Sequence, residues 1–292
     1  MSLRILTDST AYLPAEIAAS QGIAVVPLHV VVGGVEHIEG SDITPAQVAS
    51  ALRDYTIVTT SRPTPQAFLE AYRRLADEGA EQIVSIHLSS QMSGTVEAAR
   101  LAAHEAPVPV HVVDSETLGM AMGFAVVAAA QVAAHGGDLP AVTSVVSERL
   151  AGSTVLFYVD TLEHLRRGGR IGAASALLGS ALAIKPILAV RGGRIVPVEK
   201  VRTSSRAIAR IQSMVLEQVN RGGHVVDVAV HHLDAASRAE ALADELRVKL
   251  PGAPEVMVVE LGAVVGAHVG PGTLAIAFSP HPDEPLAEGT VS

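Results

Sequence analysis

QIVSIHLSSQMSGTVEAARLAAH, residues 82–104, decides the fold class. Gln82–His87 is a short apolar run of strand length, rich in β-branched residues. Ser93–His104 reads as a helix opening at a hydroxyl cluster. Ser89 to Thr95 bridges the two without a long connection, which is the grammar of a βα unit.

The same alternation extends outward. Leu3–Thr7 reads as a strand and Pro14–Ser20 as a helix with proline in its first turn. Ile23–Val32 reads as one continuous strand ended by Gly33-Gly34. Thr44 caps a helix to Leu52, and Pro65–Glu78 forms the next. Val108–Val113 is a strand, followed by helices over Gly119–His135 and Pro140–Leu150. This rhythm implies a mostly parallel sheet with flanking helices, whose ligands sit beyond the carboxyl ends of the strands. Asp8-Ser9-Thr10, Ser89–Thr95 and Asp114-Ser115 occupy that rim.

After Gly152 the pattern changes. Thr154–Val159 reads as a strand, Leu162–Arg167 as a short helix, and Ala173–Leu182 as a helix of small residues. Ile184–Val190 and Arg194–Val198 flank Arg191-Gly192-Gly193, a hairpin signal. A helix over Ser205–Asn220, a strand over Val225–His231, a helix over Ala235–Lys249 and strands over Glu255–Leu261 and Thr273–Phe278 complete an α+β unit. The expected fold class is therefore α/β in two domains, an N-terminal α/β domain over residues 1–150 and a C-terminal α+β domain over residues 151–279. Residues 280–292, with Pro280, Pro282 and Pro285 among acidic residues, are expected to be a disordered tail.

Composition narrows the function. Of 292 residues, 49% are hydrophobic but only 3% aromatic, so the core is aliphatic. A cavity lined this way suits a hydrocarbon chain and offers few surfaces for stacking flat rings. The net charge of −9 argues against a nucleic-acid partner. No cysteine is present, which excludes thiolate chemistry. The uncharged run Thr117–Gly137 carries Gln131 and His135 and reads as a buried helix, so integral membrane association is not expected. With no signal-peptide pattern ahead of Leu3, the expected location is the cytoplasm.

Three polar segments look built to converge on one small anion: Thr60-Ser61-Arg62-Pro63-Thr64, Ser89 to Thr95, and Gly266-Ala267-His268-Val269-Gly270-Pro271-Gly272. A carboxylate held away from water must be hydrogen-bonded. The hydroxyls of Thr60 and Ser93, the backbone N–H of Gly94 and the His268 imidazole meet that demand. Taken singly, Ser93 also reads as an N-cap, Thr60 as a turn residue and His268 as a structural histidine. The Gly-Pro-Gly sequel places His268 in a loop. Arg170, beyond two glycines, and Arg202 each suit a phosphate, although Arg166–Arg170 also fits a solvated helix end.

Other chemistries lack their signals. Neither a G-x-x-x-x-G-K-[ST] loop nor a strand-borne G-x-G-x-x-G occurs, so no nucleotide loop and no cofactor is expected. Neither G-x-S-x-G nor H-E-x-x-H is present. His231-His232 with Asp234 suggests a metal only weakly, because adjacent strand residues point to opposite faces. A serine hydrolase using Ser93 with His268, and Asp114 as third member, stays open as the alternative.

With TDST from Thr7, TSRPTP from Thr60, SSQMSGT from Ser89, TLEHLRRGGRI from Thr161 and GAHVGPG from Gly266 in this order, the chain resembles the DegV family of bacterial fatty-acid-binding proteins. That family includes the FakB subunits of fatty acid kinase, and the likeness runs over about residues 3 to 278. The resemblance implies two α/β domains with a lipid between them, and no catalytic residue of the chain's own. It implies a long-chain fatty acid, of C16–C18 type, held by its carboxylate at Thr60, Ser93, Gly94 and His268, with further headgroup contacts from Ser61 and Arg62. It also implies a separate ATP-binding kinase subunit that converts the bound acid to acyl phosphate, with Arg170 and Arg202 facing that partner or the phosphate. The chain departs from the family pattern at Arg62, where glutamine is commoner, and at Val96, where tyrosine is usual.

Overall fold

The computed structural model describes residues 2–177, 184–252 and 255–285. Its first half runs β1 (Leu3–Asp8), α1 (Ala15–Ser20), β2 (Ala24–Val26), β3 (His29–Val32), β4 (Val35–Ile38), α2 (Pro45–Arg53) and β5 (Val58–Ser61). It continues with α3 (Pro65–Asp77), β6 (Gln82–His87), α4 (Thr95–Ala103), β7 (Val110–Asp114), α5 (Met120–Ala134) and α6 (Leu139–Gly152). The second half comprises β8 (Thr154–Tyr158), α7 (Glu163–Arg167), a 3-10 turn (Gly172–Leu177), β9 (Lys185–Arg191), β10 (Arg194–Val201) and α8 (Ser204–Gly222). Then follow β11 (His224–His232), α9 (Ala236–Lys249), β12 (Val256–Glu260), α10 (Ala263–Val269) and β13 (Leu274–Pro285).

The strands form three sheets. β2-β1-β6-β7 is wholly parallel, as βα connections dictate. β4-β3-β5 is antiparallel. β10-β9-β8-β13-β11-β12 is mixed, with only β11 and β12 parallel. All strands up to β7 lie in the first two sheets and all from β8 onward in the third. The fold is a mixed α/β architecture with a parallel sheet and flanking helices.

Where local signals are strong, elements fall as expected. Thr44 accepts the Gln47 N–H in a capping box with Pro45 inside the helix, and Asp138 caps α6 at Ala141 N. Four expectations need correction. Ile23–Val32 is two strands in different sheets, because Pro27 has no N–H for a ladder and breaks the run. α4 starts at Thr95 with Gly94 at its N-cap, so Ser93 lies outside the helix. His268 is in the last turn of α10, a helix too short for a periodic signal, rather than in a loop. Residues 280–285 extend β13 instead of joining a disordered tail; beyond Phe278, among the described residues, only β11 flanks this strand, and an edge tolerates proline. Residues 286–292 lie outside the described residues. In the stretch expected as a helix over Ala173–Leu182, residues 172–177 form the 3-10 turn and 178–182 lie outside the described residues.

Alternation along β8 shows how the six-stranded sheet is buried on both faces. Leu156 and Tyr158 pack with α8 and α9 residues such as Ile211, Val215 and Leu242. Val155 and Phe157 point the other way, into a cluster with Met120 and Phe124 of α5. This second face looks toward the first half of the molecule.

Candidate functional site

A cavity lies against that second face. It encloses about 910 Å³ of atom-free space, its open mouth included. Its floor crosses the sheet: His231 on β11, Ala275 on β13, Val155 and Phe157 on β8, Val190 on β9 and Ile195 on β10. These five strands are consecutive in sheet order. At ~4.8 Å per strand spacing, the four steps between them cover roughly 19 Å. Leu28, Leu88, Leu118, Val264 and Val265 line the other walls, so most of the surface is aliphatic. Of α5 and the residue before it, Gly119 lines the cavity, whereas Ala121, Ala125 and Ala129 are plain core.

Polar groups meet at one part of this lining. Thr60, Ser61, Arg62, Ser93, Arg170 and His268 all border the cavity. Thr60 comes from β5, held opposite Val30 of β3. His268 comes from α10, which packs on α2 and on the three-stranded sheet. The Thr60 hydroxyl and His268 Nε2 are 2.8 Å apart. Ser93 Oγ lies 2.9 Å from Thr95 Oγ1, in the loop between β6 and α4. That loop is tied down by Asp114 Oδ1, which accepts the Ser90 N–H at 3.2 Å. Arg170, which lines the cavity, donates from Nε to Met92 O at 3.0 Å and from Nη1 to Gly168 O at 2.6 Å, and its other N–H groups have no partner among the described residues. Arg62 is exposed, and its Nη1 reaches Gly94 O at 3.5 Å.

Burial, with the Arg170 cation adding to it, pushes the His268 imidazole down to about 4. The ring is therefore neutral at pH 7. Its Nδ1 is buried with no hydrogen-bond partner among the described residues. Gly168 makes room for it: a Cβ there would stand 2.0 Å from Nδ1. An orphaned buried N–H is costly, so the proton belongs on Nε2 and is donated to Thr60. The Thr60 hydroxyl hydrogen is then free for a ligand.

The other expected residues fall differently. Gly94 packs beside Arg62 at the start of α4 but is not itself in the cavity wall. Arg202 is exposed between β10 and α8 and does not line the cavity. The Ser93–His268–Asp114 relay of the hydrolase alternative is not assembled. Among the described residues Ser93 pairs with Thr95, His268 with Thr60, and Asp114 with the backbone N–H groups of Ser90 and Glu116.

His231 has a role that sequence reasoning missed. Its Nε2 accepts the Met120 N–H at 3.0 Å, so Nδ1 donates to Val259 O at 3.2 Å. Burial pushes this imidazole down to about 4. A neutral His231 thus joins α5 to the six-stranded sheet beneath the cavity. Its hydrophobic neighbours on β11 were the available sign of a buried ring. Among the described residues no group of three or more His, Asp or Glu side chains is placed to hold a metal ion, and no helix is long and apolar enough to cross a membrane.

Comparison with known proteins agrees with this architecture. The family model described as "Uncharacterised protein, DegV family" matches residues 2–281. A DegV domain-containing protein of Streptomyces coelicolor is 54% identical over 275 residues, covering 94% of this chain and 97% of its own. Among solved structures, a DegV family protein of Thermus thermophilus described for fatty acid binding superposes with a TM-score of 0.90 at 34% identity, covering 96% of this chain and 100% of its own. DegV of Bacillus subtilis, described as a fatty acid binding protein, has a TM-score of 0.88 at 32% identity over 96% of this chain and 100% of its own. Matched in sequence over nearly its whole length and in fold throughout, this chain belongs to the DegV family.

Proposed function

We propose that the protein is a fatty-acid carrier that takes a long-chain acid, of C16–C18 type, into the cavity over the six-stranded sheet. The carboxylate is received by the hydroxyls of Thr60 and Ser93 and the backbone around Gly94; the neutral His268 donates to Thr60 and so turns that hydroxyl's hydrogen toward the ligand, Ser61 and Arg170 supply further donors, and Arg62 adds a cation near the headgroup. The carrier needs no cofactor or catalytic residue of its own. It presents the carboxyl group to a separate ATP-dependent kinase subunit that forms the acyl phosphate, with Arg170 and Arg202 on the side of that exchange.

The observation that carries the reading is an aliphatic sheet floor lining the same cavity as the Thr60–His268 pair. The bilayer core is ~30 Å thick and holds two chains end to end, so a floor of roughly 19 Å suits one acyl chain. Burying about fourteen methylenes at ~0.8 kcal/mol each contributes on the order of 11 kcal/mol. Lost motion of chain and ligand removes several kcal/mol. The tail supplies most of the affinity, and the polar cluster sets orientation. The fatty acid binding described for the Thermus thermophilus and Bacillus subtilis proteins supports the same ligand class.

Native mass spectrometry of protein purified without lipid extraction should show an added mass of a C16–C18 acid, and Ser93→Ala should weaken rebinding. A mass spectrum of bare protein that fails to take up palmitate would overturn the assignment. For the kinase step, loaded protein, ATP and a fatty acid kinase ATP-binding subunit should together yield a hydroxylamine-reactive acyl phosphate. Without that product, the role is carriage alone.

A further inference from the structure

The strand hairpin that neighbours β5 also reaches the other end of α10. Glu39, directly after β4, is buried with 6% of its surface exposed. Its Oε1 accepts the Val264 N–H at 2.8 Å and lies 3.3 Å from the Tyr12 hydroxyl, while Ser9 donates its hydroxyl to Oε2. Tyr12 OH in turn accepts the Val265 N–H at 3.1 Å. Two first-turn amides of α10 are thus capped by side chains 225 and 253 positions away in the sequence. The helix's own N-cap residue, Gly262, supplies no cap. Its missing side chain is what admits Glu39, since a Cβ there would stand 2.3 Å from Oε1.

α10 has seven residues, too few to be stable by itself. Val264, Val265, His268 and Val269 on it all line the cavity. The three-stranded sheet therefore holds this helix at both ends, through Glu39 beyond β4 and through Thr60 on β5. We propose that Glu39 is a positioning residue of the ligand site: by hooking the first turn of α10 it sets the axial position at which His268 meets Thr60 and the ligand headgroup. This inference rests on the fatty-acid reading of the cavity. Glu39 does more than stabilise the fold, because the segment it fixes carries His268, the partner of Thr60 at the headgroup end.

The test compares Glu39→Gln and Glu39→Leu with Val219→Ala, a substitution in the α8 core remote from the cavity. Palmitate affinity, Tm and the 1H–15N signals of the His268 ring are read on each. Glu39→Gln keeps an acceptor for the Val264 N–H and should bind within about threefold of the unsubstituted protein. Glu39→Leu should bind about tenfold or more weakly and shift the His268 signals, a loss equivalent to ~1.4 kcal/mol. Val219→Ala should lower Tm while leaving affinity and the ring signals in place. Affinity in Glu39→Leu that falls no further than in Val219→Ala, or unmoved His268 signals, would overturn the proposal. If Glu39→Leu does not fold, Tyr12→Phe decides, since it removes a single hydroxyl, the acceptor for the Val265 N–H and a donor to Glu39, and should shift binding and ring signals in the same direction. If the unsubstituted protein does not bind palmitate, the carrier reading fails, while the ring signals still report whether Glu39 positions His268.

Discussion

Thr60 Oγ1 and His268 Nε2 lie 2.8 Å apart although 208 positions separate them in the chain. One sits on a short strand of the first half and the other on a seven-residue helix near the end of the chain. Their meeting brings a neutral imidazole and a hydroxyl to the same part of an aliphatic cavity.

That pair should act as a unit toward the headgroup. Thr60→Val and His268→Phe are each expected to weaken fatty-acid binding by about tenfold. The double substitution should cost clearly less than the sum, because either single change already breaks the relay. Isothermal titration with palmitate on all four proteins measures this, and strict additivity would show that the two residues act separately.

Gly168 offers an indirect handle on the same ring. Its φ of −73° suits any residue, so backbone strain is not at issue. A methyl group there would press on His268 Nδ1 from 2.0 Å. Gly168→Ala should displace the imidazole and reduce affinity by about tenfold, with thermal stability falling by roughly 1 to 3 kcal/mol as expected for overpacking. Unchanged affinity would mean that the ring position is not critical.

His231 and His268, both depressed by burial, contribute to the acid limb of stability. In the unfolded chain an imidazole titrates near ~6.5. Burial opposes the charging of His231 and His268 in the folded protein and pushes both down to about 4. Between these values the unfolded chain binds more protons, so stability rises with pH across the window. It is fully present above ~6.5 and lost as pH falls toward 4. For His231, at 2% exposure, the loss is on the order of 3 kcal/mol. Burial pushes the Glu39 carboxyl up, which works in the opposite sense above its unfolded value. His231→Gln, which can still accept the Met120 N–H, should flatten the limb in urea titrations from pH 4 to 7. An unaltered limb would place the titration elsewhere.

Arg62 should act through long-range charge. It is exposed, and its contact with Gly94 is long. Arg62→Gln is expected to weaken palmitate binding only a few-fold at low salt and to have little effect near ~1 M salt, where the screening length is ~3 Å. A loss that persists at high salt would instead point to a direct bond with the carboxylate.

Much of the fold was legible because its signals are local. The capping box at Thr44, the cap at Asp138 and the apolar run Gln82–His87 each act within a few residues, and each element formed where expected. Errors arose where a neighbour distant in sequence decided the outcome. The break at Pro27 sends β3 to a sheet of its own because β5 is there to pair with it. α10 exists as a helix because Glu39 and Tyr12 cap it from the other half. Ser279 onward continues as strand because β11 offers a ladder.

The amino-acid sequence alone determined the αβ alternation, the aliphatic character of the interior and the residue types gathered at Thr60, Ser93, Arg170 and His268, since propensity, capping and polarity are properties of short segments. Only the tertiary structure decided that the hydrocarbon wall is a sheet face spanning five strands, that Thr60 pairs with His268 while Ser93 pairs with Thr95, and that Arg202 stays outside. Apart from the local Ser93–Thr95 contact, such choices depend on packing between segments far apart in the chain, where burial and hydrogen-bond geometry, rather than any local pattern, select the partner.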